Sequence, residues 1–338
     1  MEDNALKTLF HPFERGLIGL PGMEREWVFS GPPPGFIPPE GFASRPTCIQ
    51  TWRPAYLALQ KQGHDARAEL PAGFTFDGAL ILLGRYREDN LLRIRGAGLA
   101  VKAGGMVVVA GGKTDGVGPL RTQLQESLPE LQSLSKHHGV VFWFEVPQGG
   151  LKELLPRPAE PVRFDDLTIP PGVFSADGPD PASVMLAGFF DGRLSGRVAD
   201  FGAGWGYLGA EALKSRAEIT TLASYEADWR SSEACRSNLV PLARGRSLTF
   251  HWIDLASEPV DRLYDWVIMN PPFHEGRAAR PQIGIGFIEA ASRALKPGGK
   301  LLMVANRNLP YEAALEARFH RVERLAEANG FKVIEATR

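Results

Sequence analysis

Two short segments of this sequence hold the residues whose types and spacing suit chemistry, and the first is a glycine-rich run. It extends from Asp200 to Gly206 and reads DFGAGWG. The apolar run 197–201 turns there into a helix-like run, so glycines let the main chain approach a ligand while a helix start offers free N–H groups. The segment predicts a loop for a nucleotide-like ligand, and the alternative is a glycine turn without one. Asp200, two positions before Gly202, favours a cationic or amine-bearing ligand because a carboxylate repels phosphate.

The second segment runs from Asn270 to Phe273, reads NPPF and follows the apolar run DWVIM. It is therefore predicted at the carboxyl edge of a sheet, where open α/β folds bind ligands. A planar substrate with an exocyclic amine suits this arrangement, with the Asn270 side-chain oxygen and the Pro271 carbonyl accepting both N–H groups and Phe273 stacking on the ring. Accepting both hydrogens turns the nitrogen lone pair toward an electrophile. The alternative is an ordinary turn that ends a strand.

The elements that must position these segments alternate between strand-like and helix-like runs through the second half of the chain. This alternation predicts an α/β fold with a mostly parallel sheet. Glu226 and Asp254 fall at the ends of two strands between the segments. Asn329-Gly330 between two strand-like runs predicts a hairpin, which adds an antiparallel strand at the end of the sheet.

The first half of the chain repeats this rhythm more weakly. Residues 99–105 followed by MVVVAG resemble 294–299 followed by KLLMVAN, and we interpret the match as a diverged duplication. The prediction is two tandem Rossmann-like domains, 1–158 and 159–338, separated by a proline-rich segment. Because 83–86 reads LGRY where the second half has NPPF, and no glycine loop precedes it, the first domain is predicted to be degenerate and non-catalytic.

Four arginines in the first half form a candidate RNA contact: Arg85, Arg87, Arg93 and Arg95. They could bind RNA phosphates, or they could form a solvated strand edge, since acidic residues interrupt them.

Composition limits the function classes. With 38 basic and 39 acidic residues the chain is not a general nucleic-acid coat, yet 161–276 carries a net charge of −6 and 277–338 one of +5. Cys48 and Cys235 are far apart and have no metal-ligand spacing. No apolar run reaches membrane-spanning length. We therefore expect a cytoplasmic, reduced protein with no metal and no membrane partner.

Taken together, DFGAGWG, Glu226, Asp254 and NPPF resemble the class I S-adenosylmethionine-dependent methyltransferases of the amino-methylating type, which carry the same terminal hairpin. The closer resemblance is to the RsmC-like small-subunit ribosomal RNA guanine-N2 methyltransferases. It is carried by NPPFHEG, by VANRNLPYE at 304–312, and by PGVFS at 171–175 with Asp177, Gly178 and Asp180. The first half resembles the duplicated N-terminal domain of that family, which lacks cofactor binding.

The resemblance implies S-adenosyl-L-methionine as the cofactor and 16S ribosomal RNA, or the small ribosomal subunit, as the partner. It implies that the methionine part of the cofactor is lined by Asp200, Gly202 and Gly204, the ribose is bound by Glu226 and the adenine amine by Asp254. The expected catalytic residues are Asn270, which also faces the cofactor, Pro271 and Phe273. The expected substrate-binding residues are Phe273, His274, Arg277, Arg280 and Arg307. His274 either removes a proton from the methylated amine or shapes its loop.

Three other functions remain open from the residues alone. The same NPPF geometry suits adenine N6 or a protein glutamine, since both present a planar NH2 group. Gly204, Gly206 and Gly209 also satisfy GxGxxG, with Glu226 near the position of a ribose-binding acid, which is typical of NAD(P)-dependent oxidoreductases. The third is a non-catalytic RNA-binding or assembly factor.

Overall fold

The computed structural model describes residues 4–215, 217–260, 263–272, 274–275, 278–279 and 281–338, with the main chain alone described at 274–275 and 278–279. The chain divides into two compact units, Met1–Glu160 and Pro161–Arg338. Each contains one seven-stranded sheet.

The elements of the first unit are, in order, α1 (Asn4–Glu14), β1 (Trp27–Ser30), β2 (Thr47–Ile49), α2 (Arg53–Lys61), β3 (Ala66–Arg67), β4 (Phe76–Leu82), α3 (Arg87–Leu99), β5 (Val101–Gly112), α4 (Val117–Ser127), β6 (Gln132–Lys136) and β7 (Gly139–Glu145).

The second unit begins with β8 (Val162–Phe164), β9 (Leu167–Ile169) and α5 (Pro181–Ala187). It continues with β10 (Ser195–Phe201), α6 (Tyr207–Lys214), β11 (Glu218–Glu226), α7 (Trp229–Leu239), a 3-10 turn (Val240–Leu242), β12 (Ser247–Trp252) and β13 (Tyr264–Met269). It ends with β14 (His274–Glu275), β15 (Ala278–Ala279), α8 (Pro281–Ala294), β16 (Leu295–Asn306), α9 (Glu312–Glu316), β17 (Arg321–Ala328) and β18 (Phe331–Thr337).

The two large sheets have the same strand order. It is β3-β2-β1-β4-β5-β7-β6 in the first unit and β12-β11-β10-β13-β16-β18-β17 in the second. In both, the first five strands are parallel and the last two pair antiparallel. The predicted tandem α/β architecture is confirmed, as is the terminal hairpin, whose turn residues Asn329 and Gly330 have φ of 53° and 81°.

The duplication extends to individual contacts. Strands β5 and β16 are both 12 residues long and have the same sequence of buried and exposed positions. Lys102 near the start of β5 pairs with Asp77, and Lys296 near the start of β16 pairs with Asp265. Strand β16 includes the KLLMVAN run but begins before it, at Leu295, and its pairing with β13 shifts register between Tyr264 and Trp266.

Apolar clusters cover both faces of the second sheet and hold its strand ends in place. Val198 and Ala199 are adjacent on β10 and point to opposite faces. Val198 packs in a cluster with residues of α5, α6 and α7, and Ala199 in a cluster with residues of α8 and α9. Burial on both faces explains why the central strands read as continuous apolar runs rather than as alternating ones. Among the described residues, no helix combines the length and apolar character needed to cross a membrane.

Candidate active site

Three strand ends meet in one line at the carboxyl edge of the second sheet. Phe201, the last residue of β10, pairs with Tyr225 on β11 and with Met269 on β13. The next residue on each strand is Gly202, Glu226 and Asn270, respectively. Since neighbouring strands lie about 4.8 Å apart, the glycine loop begins between the carboxylate of one neighbour and the amide of the other.

The glycine loop has the left-handed main chain that only glycine adopts without strain. Gly202, Gly204 and Gly206 have φ of 73°, 55° and 96°. The amide of Gly202 donates to the Tyr225 carbonyl at 2.9 Å, which ties the start of the loop to β11. The third glycine of the GxGxxG pattern, Gly209, serves helix packing, because a Cβ there would lie 2.8 Å from a methyl group of Leu239 on α7.

Asp200 lies beneath this loop and is fully buried. Neither carboxylate oxygen has a hydrogen-bond partner within normal geometry among the described residues. Burial, with repulsion from Glu226, raises the pKa of Asp200 to about 7, and the nearby Gly209 amide only partly offsets the rise. A buried acid without a partner is costly, so the geometry suits a cationic ligand that would supply the missing donor.

Glu226 joins the loop to the end of β11. Its Oε2 accepts from the Gly204 amide at 2.8 Å. Its Oε1 accepts from the amides of Ala227 and Asp228 at 2.8 and 2.9 Å. Burial raises the pKa of Glu226, and these N–H groups oppose the rise by stabilising the carboxylate. Because Oε2 accepts only one of these three bonds, the carboxylate still has a lone pair there that can accept from a hydroxyl group of a ligand.

Asp254 follows β12 by two residues and caps the turn after it. Its two oxygens accept from the Ala256 amide at 3.0 Å and from the Ser257 hydroxyl at 2.6 Å. Its own amide donates to Glu258. The predicted adenine-binding acid therefore lies at the predicted sheet edge, with one hydrogen bond already made by each oxygen.

Asn270 is held by two residues at the start of α5. Its Nδ2 atom donates to Asp180 Oδ2 and to Ser183 Oγ, both at 2.9 Å. No hydrogen bond reaches its Oδ1 from the described part of the chain. These contacts were not predicted, although Asp180-Pro181 is a typical helix start, because 90 residues separate Asp180 from Asn270 in sequence.

The predicted substrate-binding residues are described only in part. Phe273, Arg277 and Arg280 lie outside the described residues, and for His274 the structure gives the main chain alone, in β14 paired with β15. Arg307 is exposed and directly follows β16, the strand that pairs with β13. Its Nη1 lies 3.8 Å from a carboxylate oxygen of Glu327. Such an exposed, loose ion pair leaves a guanidinium available to a phosphate.

In the described part of the first unit, residues 4–160, three of the four positions that match this site carry other side chains. Matching strand registers show that the residues corresponding to Asp200, Gly202, Glu226 and Asn270 are Phe29, Gly31, Gln50 and Leu82. The prediction that 83–86 replaces NPPF is thus wrong by one residue, because Leu82 follows its paired strand position as Asn270 does. Arg93 lies against Gly31 and donates to the Leu82 carbonyl at 2.8 Å. A guanidinium therefore occupies the space above the loop of this unit.

The predicted arginine cluster of the first unit is divided by its contacts. Arg93 also pairs with Asp89 at 2.8 Å, and Arg95 donates to the Leu155 carbonyl at 2.7 Å. Arg85 lies over the ring of exposed Tyr86, with 5.9 Å between the guanidinium carbon and the ring centre. Arg87 is exposed and pairs with its neighbour Glu88. Arg93 and Arg95 therefore hold their own unit together, and Arg85 and Arg87 remain as candidate phosphate contacts.

The arrangement in the second unit can hold a cationic nucleoside-like ligand beside an amine-accepting amide. No group of three or more metal-ligating side chains is found among the described residues. The first observation is compatible with transfer of a group from an electrophilic ligand to an amine held beside Asn270.

The sequence and the structure are similar to those of known proteins. Over 291 residues, 83% of each chain, the sequence is 29% identical to ribosomal RNA small subunit methyltransferase C of Proteus mirabilis (strain HI4320). It is 37% identical to the protein of that name from Klebsiella pneumoniae over 172 residues, 50% of this chain and 49% of that protein. A solved structure, T. thermophilus 16S rRNA N2 G1207 methyltransferase (RsmC) in complex with AdoMet and guanosine, superposes with a TM-score of 0.77 and 25% identity, covering 100% of this chain and 92% of that one.

These matches confirm the predicted resemblance to the RsmC-like proteins, and those with the P. mirabilis protein and the T. thermophilus structure extend over both units. The oxidoreductase alternative finds no support in them. The methyltransferase small domain family matches residues 166–335, which is half of the sequence. The site described above lies within that range, and the chain belongs to the methyltransferase small domain family.

Proposed function

We propose that this protein transfers a methyl group from S-adenosyl-L-methionine to the exocyclic N2 amine of a guanine in 16S ribosomal RNA. The observation that carries the proposal is the line of Gly202, Glu226 and Asn270 across three adjacent strand ends, which sets a cofactor loop beside an amine acceptor. The relatives named above act on small-subunit ribosomal RNA according to their names, and they support the choice of substrate.

The residues of the second unit fit the cofactor. Asp200 and the loop glycines Gly202 and Gly204 would hold its methionine part, because a buried carboxylate that has no hydrogen-bond partner in the described part of the chain suits an ammonium group. Glu226 would accept from the ribose hydroxyls, and Asp254 from the adenine amine. When bound, S-adenosyl-L-methionine supplies an electrophilic methyl group on a sulfonium.

The chain's own contribution to the reaction is to orient the amine. Asn270 Oδ1 and the Pro271 carbonyl accept the two N–H groups of guanine, and Phe273 stacks on a base that has been turned out of its strand. The lone pair of the amine nitrogen is then free to attack. Once alkylated, the nitrogen is acidic enough to release its proton to water, so His274 is assigned to shaping the loop.

The RNA would reach the site through a basic face. Arg277, Arg280 and Arg307 follow NPPF or lie on the neighbouring strand, and 277–338 carries the net charge of +5 that the cofactor side lacks. Phosphate contacts of this kind position a nucleic acid without reading its sequence. A ribosomal RNA or small-subunit partner supports a cytoplasmic location.

The first unit, with its boundary near 158–160, is proposed to be non-catalytic and to assist RNA binding. Phe29 at the Asp200 position removes the carboxylate, and Leu82 at the Asn270 position removes the amine acceptor. Arg93 fills the space above Gly31. Arg85 and Arg87 are the remaining exposed cations of its arginine cluster.

A methyl-acceptor assay with labelled cofactor tests the function. Purified small subunits, free ribosomal RNA and a protein extract are the acceptors, and mass spectrometry of digested RNA identifies the product nucleoside. We expect N2-methylguanosine in RNA, with Asn270→Ala lowering turnover far more than cofactor affinity. Methyladenosine as the product, or label only in protein glutamine, would overturn the guanine assignment. Incorporation into none of the acceptors would overturn the function.

A further inference from the structure

We infer that Asp180 and Ser183 are positioning residues that fix which way the Asn270 amide faces. Both hydrogens of Asn270 Nδ2 are used, one on Asp180 Oδ2 and one on Ser183 Oγ, each at 2.9 Å. The inference rests on the proposed function, because it concerns the atom that accepts the guanine amine. It assigns that atom's orientation to residues on a different element, α5.

The chemistry of the partners makes the orientation unambiguous. A carboxylate can only accept hydrogen bonds, and the Ser183 hydroxyl accepts here from the same amide nitrogen. A flipped amide would place Oδ1 against the Asp180 oxygen and give up a charge-assisted bond, which is among the stronger hydrogen bonds in proteins. Asn270 Oδ1 is therefore the atom that can accept a hydrogen bond from a substrate, because both hydrogens of Nδ2 are already used by Asp180 and Ser183.

The start of α5 is itself held firmly. Asp180 caps the helix through the Ser183 amide at 3.0 Å, with Pro181 at the first helical position. Ala182 and Leu186 bury the helix in the same cluster as the β10 core. Because the helix is anchored in this way, Asp180 Oδ2 has a fixed position, and the Asn270 amide is oriented before any substrate binds.

The segment that leads to Asp180 is also constrained. Ser175 has φ of 54°, which is uncommon for a residue other than glycine. Its hydroxyl donates to the Gly178 carbonyl at 2.6 Å and closes a short turn. The PGVFS motif therefore leads into a tight turn rather than a free linker, and this turn precedes the start of α5 that contacts Asn270.

The test compares variants that keep the helix cap but lose the contacts to Asn270. Serine is a good N-cap but is too short to reach Asn270, so Asp180→Ser with Ser183→Ala frees the amide to turn. We expect the double variant to lower kcat on ribosomal RNA 10-fold or more, while KM and S-adenosylhomocysteine affinity change less than about threefold. Asp180→Asn and Ser183→Thr each retain an acceptor oxygen and should recover most of the activity. Val184→Ala, an exposed change on the same helix, is the matched control and should leave kcat unchanged.

A second readout does not depend on activity. With ¹⁵N-labelled asparagine, the Asn270 side-chain NH2 signal, identified by its loss in Asn270→Asp, should exchange slowly with solvent in the unmodified protein and at least 10-fold faster in the double variant. Equal exchange rates would overturn the inference, as would full kcat in the double variant or a loss of cofactor affinity equal to the loss of kcat. If the unmodified protein fails to methylate RNA while the exchange rates differ as expected, the proposed function fails and the orientation of Asn270 stands.

Discussion

The main-chain amide of Gly204 donates a 2.8 Å hydrogen bond to Oε2 of Glu226, which joins the middle of the glycine loop to the end of the next strand. In the first unit a hydrogen bond also joins the loop to the end of the next strand, but the loop is the acceptor and the strand residue is the donor. Its loop contains prolines without N–H groups, and Gln50 at the corresponding position donates from Nε2 to the Pro32 carbonyl at 3.0 Å. The accepting carboxylate of Glu226 therefore matches a loop that offers an N–H group, and the donating amide of Gln50 matches a loop that offers a carbonyl group.

Replacing Glu226 by Gln should loosen the cofactor loop. One oxygen can still accept, but the new NH2 group faces either the Gly204 amide or the amides of Ala227 and Asp228, and at least one donor is left unpaired. We expect cofactor affinity to fall about 10- to 100-fold, which is about 1.4–2.7 kcal/mol, in a calorimetric titration with S-adenosylhomocysteine. Glu233→Gln, at an exposed ion pair on α7, is the control. Unchanged affinity in Glu226→Gln would contradict the role given to this carboxylate.

Asp200 should make stability depend on pH in a recognisable direction. Its pKa in the folded protein is about 7, well above the ordinary value of 3.8. Between about pH 4 and 7 the unfolded chain releases this proton while the folded chain retains it, so the free energy of unfolding falls as pH rises and then levels off. Asp200→Asn cannot ionise, so its stability relative to the unmodified protein should increase from pH 5 to pH 8. Denaturant unfolding at these two pH values measures the difference, and a constant difference would rule out the raised pKa.

The same group should link cofactor binding to proton release. A bound cation favours the ionised carboxylate and lowers its pKa. The affinity for S-adenosylmethionine should therefore rise as pH rises toward and past 7. Calorimetry at pH 6.5 in two buffers with different ionisation enthalpies should detect about half a proton released or more for each cofactor bound. The release should disappear in Asp200→Asn.

The loop glycines should differ in their tolerance of alanine. At Gly204 a Cβ would meet no atom within 4 Å, so Gly204→Ala carries only the strain of a positive φ, about 1 kcal/mol. At Gly206 the added Cβ would lie 3.1 Å from the Cys235 sulfur, and φ is 96°. We expect Gly206→Ala to lower the melting temperature several degrees more than Gly204→Ala. Equal melting temperatures would mean that the loop shifts to relieve the contact.

Charge reversal of Arg277 and Arg280 should weaken RNA binding in a salt-dependent way. Each phosphate contact contributes roughly 0.7–0.9 to the slope of log affinity against log salt. The double change to Glu should therefore reduce that slope by about 1–2 and should lower affinity most at low salt. Arg321→Glu is the control, since β17 begins at the edge of the sheet opposite to the one where Asn270 lies. Binding that matches the unmodified protein across the salt range would remove these arginines from the interface.

The sequence by itself determined the fold class and the identity of the site. Apolar runs that end in DFGAGWG, Glu226 and NPPF predict parallel strands whose carboxyl ends carry polar groups, because local periodicity and glycine or proline positions act over a few residues. Asn329-Gly330 determined the hairpin by the same local rule. The repeated GG-strand pattern determined the duplication.

Only the tertiary structure decided which groups meet across long sequence distances. Asp180 reaches Asn270 because α5 packs on the sheet, and Arg93 covers Gly31 because α3 packs beside β1. The one-residue error at Leu82 has the same origin, since strand register depends on pairing with neighbours and not on the local run. That neither Asp200 oxygen has a hydrogen-bond partner among the described residues is also a property of the packed core, because burial excludes the water that would otherwise solvate the carboxylate.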